Sequence, residues 1–214
     1  MDTIEDYLSK TESATIKLFE GIQSYINILK DAHSPAFAFY ESEEEKIQKE
    51  YREWEKLNRG KIENAIAAQE KFVDESFALA TLCGTVLQLA AMGIQKYSKN
   101  TDIIPEFKGI IKPGTKPVKF CVGRSERDLP IGLIIYAGRN QYNHLDGRNL
   151  NPINTAIFKK LSQIESFNNK GTFYTDQAFD LKNELIVNYS DNITALLGWR
   201  AYDSYLADMR SMLG

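Results

Sequence analysis

Only two histidines and two cysteines occur among the 214 residues, and that scarcity limits the available chemistry. Cys83 and Cys121 supply neither a disulfide framework nor a zinc pattern. Both sit in apolar surroundings with no adjacent base, as reduced, buried thiols do. No His/Cys/acid cluster has metal-ligand spacing, so no metal site and no cofactor is expected. No Gly-rich phosphate loop follows a strand, and no Ser–His–Asp set is suggested. Nor does any apolar run reach membrane-spanning length: the longest, near residues 77–94, is interrupted by Cys83, Gly84, Thr85 and Gln88. The start, Met-Asp-Thr-Ile-Glu-Asp, lacks the basic opening and apolar core of a signal peptide. A cytoplasmic protein away from the membrane is the expectation. Internal repeats, low-complexity tracts and clear strand alternation are missing too.

What is present is an uneven charge. The net charge is −3, yet residues 107–160 carry ten Lys/Arg against three acids. A local basic field of that kind suits an anionic partner such as a phosphodiester. A lysine-rich loop kept for solubility accounts for the charge equally well.

Helical spacing dominates the rest. Ile4, Leu8, Ile16, Phe19, Ile22, Ile26 and Leu29 predict an amphipathic helix over 3–31, ended by His33-Ser34-Pro35. Ser42-Glu-Glu-Glu45 reads as a capping box opening a highly charged helix with one narrow buried stripe. Arg59-Gly60 is expected to bend it, and Asp74-Glu75 to open a separate, nearly all-apolar helix from Phe77 to Tyr97. Residues 98–130 hold Pro105, Pro113, Pro117 and Pro130 with three glycines, which excludes a long helix and predicts an ordered loop. That loop leads Arg124 and Arg127 towards a site. Asp146-Gly147-Arg148 reads as a turn, and Pro152 starts another helix. One or two helices close the chain. The fold class is therefore all-α: a single helical-bundle domain over 1–214 with five to seven helices. It divides into N-terminal helices (1–98), a basic loop (99–130), and a motif helix with C-terminal helices (131–214).

The chain is organised around residues 128–146. Asp128 is placed to cap a helix whose first turn holds Pro130. Ile131, Leu133, Ile134 and Ile135 must be buried, and the following turns carry Tyr136, Arg139, Asn140, Gln141, Tyr142, Asn143 and His144. Tyr136, Asn140 and His144 fall in one stripe at about 100° per residue. Arg139 and His144 lie roughly 140° apart on an ideal wheel, flanking a groove unless the helix ends there. Asn140, one turn below His144, is in reach of its ring and would fix a tautomer.

Arg139-Asn140-Gln-Tyr-Asn-His144 resembles the Arg–polar–x3–His motif of the HEPN superfamily (higher eukaryotes and prokaryotes nucleotide-binding). The wider stretch from Leu129 to His144 resembles the branch of that superfamily named after a plasmid-encoded protein of unknown role. The resemblance covers about sixteen residues. It implies a helical bundle, a homodimer whose two motifs meet in one composite cleft, and metal-independent RNA cleavage. It also implies a toxin–antitoxin or phage-defence setting, with an antitoxin or regulatory protein as a further partner. Arg139 and His144 then form the catalytic pair, and Asn140 is the polar orienter.

The chemistry follows from those side chains. RNA carries its own nucleophile, the 2′-OH; a histidine can take its proton or protonate the leaving 5′-oxygen. An arginine offers fixed donors to the phosphorane, each contributing roughly 3–4 kcal/mol when well placed. The products would be a 2′,3′-cyclic phosphate and a 5′-hydroxyl. Arg124, Arg127 and Arg148 are the expected phosphate contacts, and Tyr142 the expected stacking platform, Tyr136 being as well explained by packing. Two other readings stand beside the endoribonuclease: a non-catalytic RNA- or nucleotide-binding module, and a helical partner-binding protein in which Arg139 and His144 have structural roles.

Overall fold

The computed structural model describes residues 3–40, 43–144, 150–165 and 171–214. Among them are six α-helices: α1 (Ile4–Ile28), α2 (Glu44–Tyr97), α3 (Ile131–Asn143), α4 (Pro152–Leu161), α5 (Ser190–Leu196) and α6 (Tyr202–Leu213). Two small hairpins accompany them, β1 (Ser125–Glu126) with β2 (Leu129–Pro130), and β3 (Gln163–Glu165) with β4 (Phe173–Thr175). The protein is all-α. Its contacts resolve into two compact units, 1–22 with 78–214, and 23–77.

The smaller unit is highly charged, as its sequence is. Ala65 is buried in it, and a partly exposed aromatic cluster adds to its packing: Phe37 packs on Trp54 at 5.5 Å and edge-on to Tyr51 at 5.3 Å between ring centres. Gln69 Nε2 donates to the Ala32 carbonyl at 3.0 Å, closing the link between its two helical stretches. The expected bend at Arg59-Gly60 is not there. Helix α2 runs unbroken for 54 residues, through both Gly60 and Asp74-Glu75. A Cβ at Gly60 would meet nothing, so this glycine serves no close approach; its only cost is the ~1 kcal/mol of helix propensity that neighbouring good formers outweigh. The capping box rests partly on Ser42, which lies outside the described residues.

The larger unit holds the core. Leu79, Ala80, Cys83, Val86, Leu87, Ala90, Ala91 and Ile94 of α2 are buried. The expectation that no apolar run reaches membrane-spanning length does not hold: by length and composition α2 contains an 18-residue window apolar enough to cross a membrane, with 56% of it buried inside the fold. Such a window is what a helix at the centre of a core requires. The helix is not covered on every side, however, since Met92 is half exposed. Helix α3 is the second core element, with Ile131, Leu133, Ile134, Ile135 and Ala137 inaccessible. Helices α4 and α5 pack on it.

The 98–130 stretch is ordered by docking. Short 3-10 turns at Pro105–Phe107 and Lys116–Phe120 bury Phe107, Val118 and Phe120. Phe120 packs against Tyr136 of α3 at 5.1 Å. Gly132 is required here: any Cβ would run into the Phe120 carbonyl oxygen. The loop ends in the β1–β2 hairpin, whose two turn residues, Arg127 and Asp128, have φ of 50° and 57°. Both central residues at positive φ is the turn that matches strand twist in a two-residue hairpin. Asp128 therefore does not cap α3. Pro130 takes the N-cap position, with no side-chain hydrogen bond there. Helix α4 begins as its sequence predicts, with Pro152 in the first turn and Asn151 Oδ1 accepting from the Asn154 N–H at 2.9 Å.

Candidate functional site

Helix α3 carries the Arg–polar–x3–His residues at its C-terminal end. The helix stops at Asn143, and His144 is the C-cap, with φ −131° and ψ 46°. The 140° separation of an ideal wheel therefore does not apply, because His144 has left the helix. Its backbone N–H donates to the Gln141 carbonyl at 3.1 Å, and its side chain is exposed. The expected Asn140–His144 hydrogen bond is not formed. Asn140 is buried and turns the other way.

Arg139 is half-buried and held by amides. Its Nε donates to Gln88 Oε1 at 2.8 Å, and its Nη1 donates to Asn140 Oδ1 at 3.1 Å. Asn140 Nδ2 in turn donates to Asn154 Oδ1 at 3.3 Å, and Asn143 Nδ2 reaches Gln88 Oε1 at 3.4 Å. The network thus joins α2, α3 and α4 through neutral groups. Among the described residues no carboxylate lies within ion-pair distance of Arg139. A half-buried guanidinium aligned by amides keeps its whole charge for an incoming anion, and its planar fork fits phosphate. Gln88, which the sequence offers only as a polar interruption of an apolar helix, is the residue that orients the Arg139 guanidinium from α2. Asn154 gave no such signal, lying in the first turn of α4 beside its capping residue.

Arg124 and Arg127 are held by partners of their own. Arg124 is neutralised: Nε and Nη2 donate to the two carboxylate oxygens of Asp208 at 3.0 and 3.1 Å, Nη1 pairs with Glu126 at 3.3 Å, and Nη2 also reaches the Leu197 carbonyl. The Asp208 hydrogen bond holds the Arg124 pKa above its ordinary value. Arg127 pairs with Asp176 at 2.9 Å, donates to the Leu161 carbonyl and stacks over Phe179. Neither arginine shares a partner with Arg139. Tyr142 is half-buried, its ring seated on Gly84, where any Cβ would overlap it. Arg148 lies outside the described residues, as does the turn expected around it.

Burial pushes the Cys83 thiol up to about 11 and raises Cys121 as well, so neither is an activated nucleophile. Among the described residues no group of three His, Cys, Asp or Glu is placed to hold a metal ion. A separate open cleft of about 530 Å³ is lined by Arg127, Asp128, Lys160, Glu165 and Phe173, with its charges of both signs close to balance. Compared with family models, with curated proteins and with solved structures, the chain matches none.

Proposed function

We propose that the protein is a metal-independent endoribonuclease of the HEPN type, with Arg139 and His144 as its catalytic pair. The observation that carries this reading is the uncompensated charge of Arg139, held in place by Gln88 and Asn140 and facing no carboxylate among the described residues. An arginine with a purely structural role would be expected to find a carboxylate, as Arg124 and Arg127 do.

In the reaction, the phosphodiester seats on the Nη2 side of Arg139, where no hydrogen bond is made among the described residues. The 2′-oxygen attacks phosphorus as its proton is taken by an imidazole, and the 5′-oxygen leaves with a proton. Charge building on the non-bridging oxygens meets the guanidinium, whose orientation costs nothing at that moment because the amides have already fixed it. One His144 cannot both remove and deliver a proton in a single step. A homodimer with two motifs facing one cleft supplies the second imidazole, and the exposed position of His144 at the helix end leaves it accessible to a second copy. Asn140 acts as a positioning residue towards Arg139. A toxin or phage-defence role, with an antitoxin as partner, accompanies this reading.

The test is incubation of the purified protein with total RNA in EDTA. Fragments ending in 2′,3′-cyclic phosphate support the reading. RNA that is bound and recovered intact points to a non-catalytic binding module instead, and RNA that is neither bound nor cut to a structural role for Arg139.

A further inference from the structure

One face of α2 lines up three groups that the motif alone does not connect. Gly84, Gln88, Met92 and Gln95 fall within an arc of about 80° on the helix. The Tyr142 ring sits on Gly84. Arg139 is tied to the side chain of Gln88. Lys119 Nζ donates to the backbone carbonyl of Gln95 at 2.9 Å. Between Gln88 and Gln95 lies Met92, a large apolar side chain left 50% exposed. Asn100 Nδ2 donates to the Val118 carbonyl at 2.7 Å, which ties the backbone next to Lys99 to the backbone next to Lys119. Lys99 is exposed, and neither lysine has a carboxylate partner among the described residues.

We infer that this face is a path for single-stranded RNA, running from Arg139 across Met92 to Lys119 and Lys99. The inference rests on the ribonuclease reading for the identity of the polyanion and extends it to where the strand lies. Gln88 and Gln95 are seven residues apart, about 10.5 Å along the helix axis. At the ~3.4 Å per phosphate of a stacked strand, that span takes about three nucleotides. Met92 offers a base an apolar surface, and the lysines hold phosphates beyond it. The path also explains what replaces Arg124 and Arg127, whose charge is spent on Asp208, Glu126 and Asp176. Among the described residues no ion pair joins the acids of the adjoining loop, Asp102 and Glu106, to either lysine.

The experiment is fluorescence anisotropy with a labelled twelve-nucleotide 2′-O-methyl RNA, which lacks the nucleophile and stays whole. The full-length wild type is compared with the double variant Lys99→Gln/Lys119→Gln, with Met92→Glu, and with Lys17→Gln as a control on the exposed side of α1. The double variant is expected to bind about tenfold more weakly, and its log K against log salt slope to shrink by about 1.4, near 0.7 for each lost phosphate contact. Met92→Glu is expected to weaken binding at least fivefold while melting as the wild type does. Lys17→Gln is expected to bind unchanged. Wild-type affinity in the double variant overturns the path, and so does equal affinity for a duplex DNA or an anionic phospholipid vesicle. Because binding is read without cleavage, the outcomes separate. Unchanged binding in a protein that still cuts RNA overturns the path alone, and weakened binding in a protein that never cuts overturns the ribonuclease reading alone.

Discussion

Arg139 Nε donates to Gln88 Oε1 at 2.8 Å, joining the end of the motif helix to a residue 51 positions earlier in the chain. No other group on α2 fixes the guanidinium plane. Replacing Gln88 with leucine keeps the volume and removes the acceptor. The expected outcome is a loss of kcat of ten- to a hundredfold with little change in KM, because a misaligned donor is felt chiefly in the transition state. Unfolding free energy should fall by only about 1 kcal/mol, the net value of one such hydrogen bond. Urea titration and steady-state cleavage of a short RNA check both.

Asn140 and Asn154 are buried and bonded to each other. Asn154→Ala leaves Asn140 Nδ2 without its acceptor in a dry place, which costs about 1–3 kcal/mol. A single domain of 150–250 residues loses roughly 2–4 °C of Tm per kcal/mol, so calorimetry should show a clear drop. Activity per folded molecule should fall as well, since Asn140 also holds Arg139.

Arg124→Gln separates structure from function. It breaks a two-point ion pair with Asp208, a carboxylate that also accepts from Trp199 Nε1 at 2.8 Å. Lower stability, by about 1 kcal/mol for a pair this exposed, with unchanged RNA affinity is the expected result. A loss of affinity without a loss of stability would return Arg124 to the binding surface.

The buried Cys83 thiol gives a pH signature. Its ordinary value is 9.0, and burial raises it to about 11 in the folded protein. Above pH 9 the unfolded chain loses this proton while the folded chain keeps it, so stability falls from pH 9 to about 11. The full effect is on the order of 3 kcal/mol. Tyr7, raised by burial to about 12, extends the fall to higher pH. Cys83→Ala should flatten the first part of the fall, measured by urea unfolding between pH 8 and 11. The thiol should also resist alkylation at neutral pH.

The all-α class was legible in the sequence because helical spacing runs through most of it. The start of α4 was legible for a local reason, Pro152, whose missing N–H costs nothing in a first helical turn; the Asn151 cap beside it was not read. The continuity of α2 was not, because a solvated glycine and an acid pair look like punctuation until the helix on both sides is seen to carry through them. The β1–β2 hairpin has two residues per strand, too few for alternation to show. Arg139, Asn140 and His144 were legible as a motif, but the turn of Asn140 away from His144 depends on Asn154 and on the helix ending at Asn143. Arg124 and Arg127 were read from a local basic field. Their carboxylates, Asp208 and Asp176, come from far along the chain, where no local pattern reports them.

The central claim is most directly tested by a single-turnover assay on one RNA oligonucleotide in EDTA, with product ends mapped, for wild type, Arg139→Ala and His144→Ala. The account predicts cleavage to 2′,3′-cyclic phosphate by the wild type and a fall of at least a hundredfold in both variants, whose melting curves stay within a few degrees of wild type. Variants that fold and cut at the wild-type rate, or a substrate with a 2′-deoxyribose at the scissile position cut as fast as the ribose form, would contradict it.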